Sequence, residues 1–203
     1  MKAIAKKVLS RPAYEKLKRY AWFGASDIVD SLLGRREPMI PPKRMIFVGG
    51  AAFKRIGDEF LEYFVEHGGL RQGDTVLDLG CGIGRMARPL TAYLYPSSRY
   101  EGIDVDRAGI EWCRANISSR YPNFHFRSAD VYNKTYNPRG RMRASEYRLP
   151  FPDRTFDFVL LTSVFTHMYP TTWSTTWKRS DVCRRPAAGP SSRTSWSTTK
   201  AHD

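Results

Sequence analysis

The chain has 203 residues, 41% of them hydrophobic and 26% charged. That allows one globular domain with a core, is too short for two comfortable ones, and is not the composition of a disordered polymer. The formal net charge of +13 lies at the ends: residues 1–45 hold 11 Lys/Arg against four acids, residues 171–203 hold six against two, and the middle is nearly balanced. A basic end suits a polyanion or an anionic membrane surface, and a solvated basic arm is the plainer outcome. No apolar run approaches the ~18 residues of a membrane span; the longest, from about Phe156 to Phe165, carries Asp157. The basic N-terminus lacks the apolar stretch of a secretory signal. Cys81, Cys113 and Cys183 show neither metal nor disulfide spacing, which predicts a reducing, cytoplasmic compartment.

In chain order, residues 1–45 read as a basic N-terminal extension. Lys2 to Leu9 starts a short basic helix, Pro12 interrupts it, and Pro41-Pro42 closes the segment in extended form. From Phe53 the apolar residues Phe53, Ile56, Phe60, Leu61 and Phe64 recur at helical spacing, and Gly68-Gly69 is a stop. Gly57 inside this run weakens the helix. Thr75 to Leu79 reads as a strand and Arg85 to Leu94 as a helix whose Pro89 sits near its start. Tyr100 to Asp104 is a second strand. Asp106 then caps a helix with Ile110, Cys113 and Ile117 on one face. Phe124 to Arg127 is a third strand and Phe156 to Thr162 a fourth, with a long insert, Val131 to Arg148, between them. This alternation predicts an α/β fold with a parallel sheet covered on both faces.

The informative stretch is Val76-Leu77-Asp78-Leu79-Gly80-Cys81-Gly82-Ile83-Gly84-Arg85, a strand running into a glycine-rich turn and a helix. Such a turn lets backbone approach a ligand, with helix N–H groups open to polar atoms. A phosphate loop needs Lys-Ser/Thr after the last glycine, and a dinucleotide fingerprint needs one more residue between the second and third. Asp78, two residues before Gly80, suits a cationic group better than a pyrophosphate.

These residues resemble the first motif of the class I S-adenosylmethionine-dependent methyltransferases. Gly102-Ile103-Asp104, Ser128-Ala129-Asp130, and Leu149-Pro150-Phe151-Pro152 followed by Phe156-Asp157-Phe158-Val159 resemble later motifs of that family in the same order, over about residues 46–170. The resemblance implies a Rossmann-like, doubly wound, mostly parallel sheet, with S-adenosyl-L-methionine as cofactor. It implies that Gly80, Cys81, Gly82 and Gly84 pass under the methionine part and that Asp78 helps hold its amino group. Asp104 would bind the ribose hydroxyls, Val105 would pack on the adenine, and Asp130 would face the adenine amino group. Thr162 and Ser163 would fall where the site opens towards the transferred methyl.

The implied reaction is methyl transfer from a sulfonium, which needs alignment and desolvation more than covalent help. An oxygen acceptor would benefit from a base, and His167 is the candidate near the fourth strand, with a packed or capping role as the commoner outcome for such a histidine. His67, His125 and His202 have no matching context. The acceptor is not legible, with a small molecule, glycan or lipid ahead of nucleic acid, and neither is the oligomeric state. Acceptor contacts are expected from the Val131–Arg148 insert, because loops at the carboxyl ends of strands line the crevice of open α/β sheets. Two rival readings are an inactive, partial methyltransferase fragment and an NAD-type oxidoreductase.

After Pro170 the pattern loses both helical and strand periodicity. Read one base early, permitted codons for this stretch give an amphipathic helix, a paired-glycine turn and a strand. Residues 171–203 are therefore expected to be a frame-shifted, disordered tail, which leaves the sheet incomplete at its C-terminal strands and the chain close to inactive.

Overall fold

The computed structural model describes residues 11–46 and 52–161. Helix α1, Arg11–Leu32, is followed by a short 3-10 turn at Lys43–Met45 and by α2, Phe53–Glu66. Then come β1, Val76–Leu79; α3, Ala87–Tyr93; β2, Tyr100–Asp104; α4, Arg107–Cys113; β3, Phe124–Ser128; and β4, Phe158–Leu160. A π-helical turn, Arg114–Ser118, prolongs α4.

The four strands form one parallel sheet in the order β3-β2-β1-β4. The chain thus lays down β1, β2 and β3 in one direction and returns to the other side of β1 for β4. That reversal makes the carboxyl end of β1 the switch point of a doubly wound, Rossmann-like sheet, where a crevice opens. Register puts Asp78 opposite Gly102 on one side and Leu160 on the other, with Asp104 opposite Ser128.

Burial explains the sheet. Every residue of β1 is buried, as expected of a central strand covered on both faces. On one face Val76, Tyr100, Phe124 and Phe126 pack against Leu90 of α3 and Ile110, Cys113 and Ile117 of the α4 segment. Tyr100 and Phe124 stack with ring centroids 4.8 Å apart, and each such buried aromatic contributes roughly 1.5–3 kcal/mol. On the other face Leu77, Leu79, Ile103 and Phe156 are covered by Tyr147, Leu149 and Phe151. Among the described residues, then, loop and insert side chains cover this face, where helices were expected.

Other departures have local causes. Pro12 lies in the first turn of the 22-residue α1, where a missing N–H costs nothing. Gly57 is buried because a Cβ there would lie 2.7 Å from the Arg85 carbonyl oxygen; the glycine lets α2 approach the turn that leads into α3. That turn delays the start of α3 to Ala87. Asp106 occupies the N-cap position of α4 without a side-chain capping bond. Strand β4 begins at Phe158 rather than Phe156, and Thr162, its expected end, lies outside the described residues. So does the expected Lys2–Leu9 helix. Among the described residues, no helix is long and apolar enough to cross a membrane.

The segment before α2 is tied to the sheet domain. Pro41, Pro42 and Ile46 are buried, Met39 packs against the main core, and Glu37 pairs with Lys54. Asp27 of α1, 2% exposed, accepts the Lys43 N–H at 2.7 Å, the Arg44 N–H at 3.1 Å and an Arg44 guanidinium N–H at 3.1 Å.

Candidate functional site

The glycine-rich turn leaves β1 at the switch point. Gly80 and Gly82 adopt φ of 82° and 54°, values that L side chains rarely adopt. A Cβ on Gly82 would meet nothing within 4 Å, so at this point the turn borders open space. Gly84 is different: a Cβ there would lie 2.7 Å from Ile117 and 3.0 Å from Cys113. Its inward side is closed by the packing of the α4 segment.

The turn's amides point inward. Gly80 and Cys81 donate to the Ile103 carbonyl, at 2.8 and 3.3 Å, and Gly84 donates to the Cys81 carbonyl at 2.9 Å. Gly82 donates to Asp104 Oδ2 at 2.7 Å. The sequence reading of open N–H groups is corrected for these four amides. With them engaged they make no nest for a pyrophosphate, which binds through outward N–H groups.

Two carboxylates back this turn. Asp78 is fully buried; Tyr100 donates its hydroxyl to Oδ2 at 2.6 Å, and Oδ1 has no hydrogen-bond partner among the described residues. Burial pushes its pKa up to about 7, against the pull of the Tyr100 hydrogen bond and with a further push from Asp104. Asp104 closes β2; its Oδ1 accepts the Asp106 N–H at 2.7 Å. Its pKa is also raised, first by burial. Neither acid forms an ion pair among the described residues. Each oxygen of Asp104 has taken one N–H and keeps further acceptor capacity. The result is a cation-poor, acid-rich pocket floor.

Cys81 is buried, and burial raises its thiol pKa well above the usual range, so it stays a thiol and is no nucleophile. Val105 and Asp130 flank a recess of about 380 Å³ with Arg107, Ser128, Ala129 and Asn137 around it. Asp130 is held by Arg141, Nε to Oδ2 at 2.6 Å, and this hydrogen bond lowers the carboxyl pKa. Tyr136 of the insert comes close enough to Asp104 and Asp106 for their charges to add to burial in raising its hydroxyl pKa. The insert therefore reaches the mouth of the site, while Tyr147 packs under the sheet. Arg139, Arg143 and Arg148 are exposed.

These positions converge: Asp78, Gly80, Cys81, Gly82, Gly84, Asp104, Val105 and Asp130 gather at the carboxyl ends of β1, β2 and β3. Thr162, Ser163 and His167 lie outside the described residues. Among the described residues there is no cluster of His, Cys, Asp and Glu that could hold a metal ion.

Sequence reasoning missed three contributors. Tyr100 was assigned only to a strand, although a hydroxyl two positions before Gly102 and on the face of Asp78 follows from strand periodicity. Gly109 lets α4 press on the turn, since a Cβ there would meet the Gly82 carbonyl oxygen at 3.0 Å and Ile83 at 2.9 Å. Arg141 belongs to the insert expected to meet the acceptor, yet it holds Asp130, and nothing in its spacing marks it as that partner.

The residues fit S-adenosylmethionine on this geometry. An orphaned buried carboxylate oxygen, an open glycine edge and acids without cations suit a ligand that carries ammonium and sulfonium charges.

Among known proteins, the chain is similar to methyltransferases. A family model described as a methyltransferase domain matches residues 76–186, past the point where the motifs end. The phthiotriol/phenolphthiotriol dimycocerosates methyltransferase of Mycobacterium tuberculosis is 36% identical over 98 residues, 48% of this chain and 29% of that protein. A fatty-acid O-methyltransferase of Mycolicibacterium smegmatis is 33% identical over 101 residues, 49% of this chain and again 29% of the relative. The chain thus spans under a third of the length of these curated relatives. A SAM dependent methyltransferase of Aquifex aeolicus shares 18% identity at a TM-score of 0.43, over 66% of this chain and 63% of the other. With the family model matching more than half of its residues, the chain belongs to the methyltransferase-domain family.

Proposed function

We propose that this chain carries the S-adenosyl-L-methionine site of a methyltransferase that acts on a lipid-type or other small acceptor. One observation carries the reading: fully buried Asp78 and half-buried Asp104, without ion pairs among the described residues, stand behind a glycine turn whose amides face inward. That floor attracts a cationic ligand and offers nothing to a pyrophosphate.

In this reading Asp78 Oδ1 accepts from the ammonium group, and Asp104 accepts the ribose hydroxyls with its remaining lone pairs. Val105 forms the apolar wall for the adenine, and Asp130, oriented by Arg141, accepts from its amino group. Gly80, Gly82 and Gly84 supply a side-chain-free edge beside the methionine part, and Cys81, its thiol buried, adds backbone to it. When bound, the cofactor supplies a methyl group already activated on sulfur, so the protein has mainly to align the acceptor and exclude water. Thr162 and Ser163 are proposed beside that methyl and His167 as a base for an oxygen acceptor; all three lie outside the described residues. The lipid acceptor is supported by the names of two partial relatives. A cytoplasmic setting is supported by Cys81 and Cys113, buried thiols without a disulfide.

Isothermal titration with S-adenosylmethionine and with NAD tests the reading. Binding of S-adenosylmethionine is expected; binding of NAD alone overturns it.

A second proposal rests on residues 171–203, whose sequence has neither helical nor strand periodicity. We propose that they are read in a shifted frame, that this 203-residue chain is close to inactive, and that a one-base correction near Pro170 restores activity. Sequencing the gene tests this. Codons that yield no amphipathic helix and glycine-turn strand in the shifted frame end it.

A further inference from the structure

Helix α1 is built the wrong way round for a helix packed on its own domain. Its polar side faces inward: Asp27 is buried against Lys43 and Arg44, and Asp30 pairs with Lys43. Its apolar side faces out. Trp22 is 78% exposed, Ile28 59%, Val29 47% and Leu32 81%, with Leu33 just past the helix end at 57%. Trp22, Val29 and Leu32 recur with Lys18 and Ala25 at alternating spacings of four and three residues, which aligns them in one stripe along the helix. Surface helices ordinarily bury such a stripe.

Charge decides what covers it. Residues 1–45 carry 11 Lys/Arg against four acids, with Lys18 in the stripe itself and Arg35 exposed just after the helix. A second copy of the chain would bring two such basic segments together. The segment 171–203, six Lys/Arg against two acids, is of the same sign. Like charges oppose both pairings. An anionic lipid surface satisfies both features, because apolar side chains with an exposed Trp enter the headgroup boundary while Lys and Arg meet lipid phosphates.

We infer that α1 is an interfacial helix that seats the protein on anionic membrane through Trp22, Ile28, Val29 and Leu32. This inference stands apart from the transferase reading, because cofactor binding does not enter it.

The experiment is co-sedimentation of the full chain with vesicles of phosphatidylcholine mixed with phosphatidylglycerol, against vesicles of phosphatidylcholine alone. Binding to the anionic vesicles is expected to be at least about tenfold tighter and to weaken with salt. The double variant Trp22→Glu/Leu32→Glu should lose that binding while its Tm and cofactor affinity stay at the parent's values. Trp22→Phe should retain it. Absence of vesicle binding, equal binding to both compositions, or full binding by the double variant overturns the inference. A fall in Tm in the double variant would show the stripe packed by the chain itself. A change from dimer to monomer would show an interface between copies. Either result also overturns it.

Discussion

Two regions of this molecule bury carboxylates, and they treat them in opposite ways. At α1, Asp27 receives two backbone N–H groups and a guanidinium, so its charge is answered within the chain. At the end of β1, Asp78 receives one tyrosine hydroxyl, keeps one oxygen without a partner, and has Asp104 rather than a cation for a neighbour. A buried acid with its needs met is a fastener. A buried acid without a countercharge costs stability unless a ligand supplies one. The difference separates a structural carboxylate from a ligand-binding one before any relative is considered.

The largest expected effect follows from Asp78. Its folded-state pKa of about 7 stands above the ordinary carboxyl value of 3.8, so between those values the folded chain holds a proton that the unfolded chain has released. The contribution of Asp78 to stability should therefore be full below about pH 4 and fall as pH rises to 7, by on the order of 4 kcal/mol at most. Chemical denaturation across this range measures the slope, and Asp78→Asn should flatten it while weakening cofactor binding. A variant as steep as the parent would place the effect elsewhere.

Asp104 sharpens the contrast because it serves both purposes. Replacing it by Ala takes acceptors from the Gly82 and Asp106 amides, at a cost of about 1–3 kcal/mol in stability. Cofactor affinity should fall by a similar free energy, roughly tenfold to a hundredfold. Unchanged affinity by calorimetry would remove Asp104 from the site.

Asp27→Ala should cost about 2 kcal/mol in unfolding and leave cofactor affinity alone. A loss of affinity there would mean that the two regions are coupled.

The smallest structural effect is expected from the insert. Arg139 and Arg143 are exposed, so replacing both by Ala should leave Tm within about 0.5 kcal/mol equivalent and lower acceptor use alone. Arg141 does not belong with them, because it holds Asp130. A matched drop in cofactor affinity in the double variant would make the insert a structural element.

The sheet was largely legible in the sequence because its signals are local. Asp78-Leu79-Gly80-Cys81-Gly82 and Gly102-Ile103-Asp104 mark strand ends through residues that the turns require, and the stripe Ile110, Cys113, Ile117 is fully buried as its spacing demands. What was not legible depends on distant partners. The length of α1 escaped because Pro12 reads as a breaker until it is placed in a first turn, and because its fastening acid binds residues sixteen and seventeen positions away. The inward aim of the glycine-turn amides also escaped, since the Ile103 carbonyl and the Asp104 carboxylate that receive them belong to the next strand.

The central claim is that the uncompensated acid at the end of β1 receives a cationic ligand. Proton release on cofactor binding tests it most directly, by calorimetry at about pH 6.5 in buffers of different ionisation enthalpy. An ammonium group beside Asp78 lowers its pKa from about 7, so binding should expel part of a proton from the parent and none from Asp78→Asn. Binding with no proton release from the parent, or with the same release from the variant, would contradict the account.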